Sequence, residues 1–229
     1  MTQTNEKRQN YIVYDLETGG FDCKRVAITE IALIAIDGFT LEETERYTTF
    51  IKPYSVTEIS EDGVKTEKKL EYDSQALQVT GITMDMIMSG KESKDVVREV
   101  SDFMKRHGTG ARKKPILCGH NIIDFDNPFL QVLFKSQKKE LEKFINPKHY
   151  IDTMWWSRMK TPKDKDQYGT HKLSDACSRQ GIELVDAHRA MNDTAANARL
   201  VVSYLKSLRG EGVVVEQEEK HSYTRNFKF

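Results

Sequence analysis

The sequence has no hydrophobic run long enough to cross a bilayer. Its most apolar stretch, residues 26–36, is interrupted by Thr29 and Glu30 and has about half the length of a membrane-spanning helix. Residues 1–10 have neither the apolar core nor the small-residue cleavage site of a secretory signal. We therefore expect a cytoplasmic protein that does not interact with membranes.

Cysteine is scarce, and an excess of charge of either sign is absent. The three cysteines, Cys23, Cys118 and Cys177, are odd in number and widely separated, which favours reduced thiols over disulfides. Lys plus Arg equals Asp plus Glu at 35 each, so the overall charge identifies no partner. A nucleic-acid partner is not excluded, because local basic clusters or bound cations are enough to attract a polyanion.

What the chain does have is enough apolar sequence for one core. A length of 229 residues and a hydrophobic content of 38% are typical of a single domain with additions. We place this domain at residues 11–208, between a flexible N-terminus (1–10) and a flexible C-terminal tail (209–229). The stretch 53–73 is charged and has no lasting periodicity, and we interpret it as an exposed, inserted loop.

Strand-like and helix-like patterns follow one another along the domain. Short apolar or β-branched runs predict strands over 11–16, 26–36, 46–51, 115–118 and 149–151. Apolar residues at helical spacing predict helices over 74–79, 93–107, 126–135, 173–180 and 190–208. Ser93 is the predicted N-cap of the second helix. This order predicts an α/β fold with a mixed sheet.

The first candidate site lies at the end of the first predicted strand. Asp15 and Glu17 flank Leu16, so in an extended chain both carboxylates point to the same face. Two carboxylates so close repel each other unless a divalent cation lies between them, and their hard oxygens suit Mg²⁺ or Mn²⁺. Taken alone, the pair is equally compatible with a solvated strand end.

Two further acidic residues open predicted helices. Asp126 follows a buried strand and begins a helix, where it could also serve only as a cap, and Asp124 is a nearby alternative. At the start of the last helix, His188 and Asp193 are spaced so that an imidazole lies near a carboxylate. This arrangement is typical of a base beside a metal ligand, although a surface histidine with an acidic neighbour explains it too.

In combination, these segments resemble the DEDDh, or DnaQ-like, 3′ to 5′ exonucleases. Residues 14–20 (YDLETGG) match the family's first motif, D-x-E-T-x-G. Residues 121–126 (NIIDFD) match the second, with a spacing that selects Asp126 over Asp124, and residues 188–193 (HRAMND) match the third, H-x-x-x-x-D. The resemblance implies a ribonuclease H-like fold, with a central five-stranded mixed β-sheet flanked by α-helices.

The resemblance also implies roles for individual residues. Two divalent cations, Mg²⁺ or Mn²⁺, are expected on the carboxylates of Asp15, Glu17, Asp126 and Asp193. His188 is the expected general base that takes a proton from the attacking water. Contacts to the substrate are expected from Thr18, Gly19, Asn121 and Phe125.

The activity implied is removal of nucleoside 5′-monophosphates from the 3′ end of single-stranded nucleic acid, with DNA favoured. An RNA-trimming enzyme of the ribonuclease T or oligoribonuclease kind is the alternative within this class. A ribonuclease H-like binding scaffold without catalysis is the alternative outside it. The expected partners are single-stranded DNA or RNA 3′ ends and a DNA polymerase or other replication protein.

Overall fold

The computed structural model describes residues 9–109, 113–161 and 170–210. The strands are β1 (Tyr11–Thr18), β2 (Ile28–Ile36), β3 (Glu43–Phe50), β4 (Ser55–Ile59), β5 (Lys65–Lys69), β6 (Ile116–Gly119) and β7 (Tyr150–Asp152). The α-helices are α1 (Ser74–Thr80), α2 (Met84–Ser89), α3 (Ser93–Arg106), α4 (Asp126–Ser136), α5 (Thr153–Lys160), α6 (Leu173–Ser178) and α7 (Ala190–Leu208), with a 3₁₀ turn at Leu141–Lys143. The predicted flexible segments fall mostly outside the described residues.

A five-stranded sheet in the order β3-β2-β1-β6-β7 forms the centre of the fold. The β3-β2-β1 half is antiparallel, whereas β1-β6 and β6-β7 are parallel. This arrangement confirms the predicted mixed sheet. β1 is the middle strand, so its carboxyl end lies at the centre of one edge of the sheet.

Helices cover both faces of the sheet, which explains the sequence of the inner strands. On one face, Val13 and Ile34 pack with Val201 of α7. On the other face, Ile12 and Leu33 belong to a cluster that also contains apolar residues of α3 and α4. Every residue of β2 is buried, as expected for a strand covered on both sides, and this accounts for its nearly continuous apolar run.

The predicted loop over residues 53–73 was wrong. Most of this segment is a β-hairpin in which β4 and β5 pair antiparallel. KTEKK is rich in charge and mostly exposed, and neither strand has the apolar alternation that identifies a strand. Cross-strand contacts such as the Glu58–Lys68 ion pair, at 2.9 Å, help to hold the hairpin.

Short local features were also missed or misplaced. Helices α2 and α5 have 6 and 8 residues, too few for a clear helical period. The predicted N-cap of α3 was wrong by one position, because Glu92 occupies the cap and Ser93 is the first helical residue. The Ser93 hydroxyl instead accepts a hydrogen bond from the Gln137 side chain at 3.1 Å.

The predicted reduced thiols are confirmed: Cys23, Cys118 and Cys177 are free, and the last two are buried. Across the described ranges, no helix is long and apolar enough to cross a membrane.

The packing of α3 on the sheet provides a test of the core. Phe103 is completely buried and lies 4.7 Å from the His107 ring, centroid to centroid. Phe103→Ala should lower the free energy of unfolding by about 3–5 kcal/mol, because it leaves a cavity that the rigid sheet cannot fill. Met88→Ala, at a side chain that is 54% exposed, is the control and should change it by less than about 0.5 kcal/mol. Urea titration measures both, and equal small losses would contradict this packing.

Candidate active site

The end of β1 presents two carboxylates on one face, as the strand period requires. Asp15 and Glu17 point to this face and Leu16 to the other. Glu17 is 8% exposed, so its carboxylate is largely removed from water. The register between β1 and β2 shifts after Glu17, one residue before the strand ends.

The Asp126 side chain is joined to the backbone of the same strand by a hydrogen bond. It is the first residue of α4, and its Oδ1 accepts from the Leu16 amide at 3.1 Å. The next residue, Asn127, accepts from the Tyr14 hydroxyl at 2.7 Å. Asp126 is 3% exposed whereas Asp124 is exposed, which agrees with the choice of Asp126 from the motif spacing.

The third motif spans the start of α7. Asp193 lies in the first turn of the helix, and its Oδ2 accepts from the His188 backbone amide at 3.1 Å. His188 precedes the helix, is exposed, and has a φ of 70°, in the left-handed region that non-glycine residues rarely adopt. The spacing from His188 to Asp193 therefore corresponds to a short loop, which is closed by the hydrogen bond from the His188 amide to the Asp193 carboxylate.

The fold brings these motifs together and produces a set of oxygen ligands. Carboxylate oxygens of Asp15, Glu17 and Asp193 lie within 4.8 Å of one another. Asp193 Oδ1 is buried and accepts no hydrogen bond from the described residues. Asp126 is not part of the 4.8 Å group but adjoins it through its bond to Leu16. Hard oxygen donors, one of them unpartnered, fit a divalent cation such as Mg²⁺ or Mn²⁺.

The electrostatics of the carboxylate cluster also favour a bound cation. Burial, and then the charges of Asp126, Glu17 and Asp193, hold the pKa of Asp15 well above its usual range. Burial and the nearby Asp193 raise the pKa of Glu17 to about 8, and burial raises the pKa of Asp126 to about 7. Burial also raises the pKa of Asp193, against the effect of the His188 amide. The site therefore disfavours its own negative charge in the absence of a cation.

A cleft of about 600 Å³ adjoins the carboxylates. Its lining is Leu16, Glu17, Thr18, Gly20, Phe21, Asp73, Ser74, Gln75, Ala76, Val79, Thr80, Phe125 and His188. Phe21 is 90% exposed and meets Phe125 edge to face, with ring centroids 6.2 Å apart. The cleft thus has an acidic end and an aromatic side.

One wall of the cleft is joined to the first motif through the main chain. The Asp73 amide donates to the Gly19 carbonyl at 2.7 Å, and the Ala27 amide donates to the Glu71 carbonyl at 3.1 Å. The Arg25 side chain adds a bond to the Asp73 carboxylate at 2.7 Å. A side chain at Gly19 would place its Cβ 2.9 Å from the Tyr72 ring, so the close approach requires glycine.

The residues predicted to contact substrate divide into two groups. Thr18 and Phe125 line the cleft, whereas Gly19 and Asn121 are not among its lining residues. Asn121 has a φ of 66°, and its amide donates to Asp152 Oδ1 at 2.9 Å. A substrate contact by any of the four remains a prediction.

Sequence reasoning missed two groups that support the site. Glu30 is 3% exposed, faces Glu17 across the β1–β2 ladder, and pairs with Arg189. Asp152 accepts the amides of Asn121, Ile123 and Met154 and thereby shapes the turn after β6. The sequence signal that could have identified Glu30 was a charge inside an otherwise apolar strand, since Glu30 interrupts the most hydrophobic stretch of the chain.

The raised pKa values predict an unusual pH dependence of stability. Glu17 ionises near 4.5 when exposed and near 8 in the metal-free fold, so its folded form keeps a proton that the unfolded chain releases. Stability that is present below about pH 4.5 should be lost as the pH rises through about 8. Saturating Mn²⁺ should reverse this loss, because a cation binds the ionised carboxylates of the folded state.

Thermal unfolding at several pH values, with Mn²⁺ or with a chelator, measures this effect. Asp193→Asn is the matched variant, since it removes one negative charge with little change of shape. It should show both a weaker pH dependence and a smaller rise of Tm with Mn²⁺. An equal Mn²⁺ effect on both proteins would mean that the cation binds elsewhere.

Known proteins resemble this chain over most of its length. The model of the RNase T family, described as exonuclease, matches residues 12–201. The PolC-type DNA polymerase III of Bacillus subtilis is 29% identical over 212 residues, which are 93% of this chain and 12% of that protein. The 3′-5′ exonuclease DinG of Staphylococcus aureus is 28% identical over 192 residues, or 84% of this chain and 18% of that protein. This chain thus spans less than a fifth of these curated relatives.

Among solved structures, E. coli exonuclease I in complex with a dT13 oligonucleotide has a similar fold. The TM-score is 0.65 at 17% identity, over 89% of this chain and 42% of that one. This likeness confirms the predicted fold class. Because the family match extends from β1 into α7 and includes all three motifs, the chain belongs to the exonuclease family.

Proposed function

We propose that this chain is a metal-dependent 3′ to 5′ exonuclease that hydrolyses the terminal phosphodiester of single-stranded DNA. The observation that carries the proposal is the meeting of Asp15, Glu17 and Asp193 within 4.8 Å, beside a cleft large enough for a nucleotide. The product would be a nucleoside 5′-monophosphate and a strand shorter by one residue. Family membership supports this class of reaction.

Asp15, Glu17, Asp126 and Asp193 would hold two divalent cations, Mg²⁺ or Mn²⁺. When bound, such ions supply Lewis-acid stabilisation of the negative charge that develops on phosphate oxygens. The contribution of the chain is to fix these carboxylates before substrate arrives. Asp126 is fixed by the Leu16 amide and Asp193 by the His188 amide.

His188 is the proposed general base. His188 lines the cleft that Glu17 also lines, and histidine is the residue best suited to accept a proton near neutral pH. The imidazole would take a proton from the attacking water while the oxygen of that water bonds to phosphorus. The bond from phosphorus to the 3′ oxygen of the preceding nucleotide breaks, and that oxygen takes a proton from solvent.

The cleft supports binding of an unpaired strand end. Phe21 and Phe125 provide aromatic surface against which a base can stack, and such stacking tolerates different bases. Thr18 lines the same cleft and would contact the terminal nucleotide. Gly19 and Asn121 are not among the lining residues, so they would act through the backbone turns in which they lie.

DNA is the favoured substrate, and replication or repair the favoured context. The supporting observations are that relatives include a DNA polymerase and that exonuclease I, of similar fold, was solved with a DNA oligonucleotide. A proofreading role would require a partner polymerase or another replication protein. RNA trimming and a silent binding scaffold are the alternatives that experiment must separate.

A time course on 5′-labelled single strands tests the activity. With Mn²⁺, the wild type should produce a stepwise ladder from the 3′ end, faster on DNA than on RNA of the same sequence. A chelator, or Asp15→Ala, should remove the ladder, because either change empties or disables the cation site. Gel electrophoresis of timed samples measures it.

The outcomes separate the three functions. A faster ladder on RNA would assign an RNA-trimming role. A folded protein that binds the oligonucleotide but gives no ladder on either strand would contradict catalysis and favour the scaffold.

A matched pair of substitutions tests the second motif. Asp126→Asn should lower kcat by about 10²-fold or more, because it removes charge from a buried carboxylate beside Asp15. Asp124→Asn makes the same chemical change two residues away on the surface and should leave kcat within about twofold. Initial rates on single-stranded DNA measure both, and the reverse order of effects would show that the motif was aligned wrongly.

A further inference from the structure

Glu30 is a buried carboxylate for which the proposed chemistry has no use. It lies on β2, directly across the ladder from Glu17, and is 3% exposed. Its oxygens accept from Nε and Nη2 of Arg189, each at 3.3 Å, and from the Ala190 amide at 3.4 Å. One carboxylate of the sheet thus binds two successive residues, Arg189 and Ala190.

Arg189 and Ala190 connect the proposed base, His188, to α7. Arg189 is the N-cap of α7 and immediately follows His188. Its guanidinium also lies 5.5 Å from the centre of the Phe50 ring, so it is held by both the sheet and an aromatic face. A paired guanidinium of this kind has one preferred orientation, because both of its contacts are directional.

The conformation of His188 requires such an anchor. Its φ of 70° is unfavourable for a residue with a side chain, as is the φ of 48° at Asp186 two residues earlier. Strained positions persist only where neighbouring contacts determine them. The bond from the His188 amide to Asp193 fixes one side of this residue, and the Glu30 contacts fix the other.

Stability alone does not account for a carboxylate at this place. Glu30 shares its face of the sheet with Glu17, and like charges directly opposite each other in a ladder are destabilising. An apolar residue would suit a strand whose every residue is buried. The Glu30 carboxylate therefore has a role that offsets the unfavourable free energy of a charge at this position.

We propose that Glu30 and Arg189 are positioning residues for the general base, and that they hold His188 in the backbone conformation that directs its imidazole into the cleft. This inference rests on the proposed function. Glu30 acts through His188 and touches neither substrate nor the reacting atoms.

A double-mutant cycle with His188 tests the proposal. The variants are Glu30→Gln, His188→Ala and the two combined, with kcat and KM on single-stranded DNA measured at saturating Mn²⁺. Glu45→Gln is the matched control, because it makes the same substitution in another ion pair between the sheet and a helix, with Arg106 at 2.6 Å. Circular dichroism establishes that each variant is folded.

Glu30→Gln should lower kcat by about tenfold or more and leave KM within about threefold. In the His188→Ala background the same substitution should change kcat by less than about twofold, since the group it positions is gone. Arg189→Gln, at a side chain that is 44% exposed, should give the same pattern, and it carries the test if Glu30→Gln does not fold. Glu45→Gln should leave kcat unchanged.

An equal loss of kcat on Glu30→Gln in both backgrounds would overturn the proposal, because it would show action through the cations or the fold. An unchanged kcat in the wild-type background would overturn it too. If His188→Ala itself keeps full activity, the proposed base and the positioning role both fail. If His188→Ala lowers kcat and the Glu30 effect persists, only the positioning role fails.

Discussion

Mutual repulsion among buried and partly buried carboxylates is the constraint on which the rest of the structure depends. Asp15, Glu17 and Asp193 lie close together at one sheet edge, and Asp126 adjoins them through the Leu16 amide. Burial and proximity both oppose their ionisation, so the folded chain holds them in an unfavourable state without a cation. The apolar layers on both faces of the sheet provide the rigidity that keeps them in place. In a flexible scaffold the carboxylates would move apart, and the affinity of the site for cations would decrease.

Much of this arrangement could be predicted from the sequence because its determinants are local. The strand period places Asp15 and Glu17 on one face, and the buried runs of β1 and β2 are recognisable from composition alone. The motif spacing selected Asp126 over Asp124, and the structure buries the first and exposes the second. Three short motifs, each weak alone, were informative because they lie at the ends or starts of predicted elements and follow one another in the family's order.

The features that escaped prediction have no local pattern. Glu30 and Arg189 are 159 positions apart, so their pairing exists only after the sheet and α7 have come together. The β4–β5 hairpin is held by its own ladder, and its strands lack the apolar alternation that identifies a strand. Helices α2 and α5 are too short for periodicity to reveal them. The Glu30–Arg189 pair depends on tertiary structure, whereas the hairpin and the short helices lack the periodicity from which sequence-based assignment starts.

The main-chain bonds between the first motif and the cleft wall have a consequence for divergence within the family. The bonds from Asp73 to Gly19 and from Ala27 to Glu71 involve no side chains, so they survive most substitutions. The side chains of α1 that face the cleft, such as Gln75 and Val79, can therefore change while the carboxylates stay where they are. Under the proposed function, substrate preference would depend on the side chains of α1 and hydrolysis on the carboxylates, so the first could change during evolution without loss of the second.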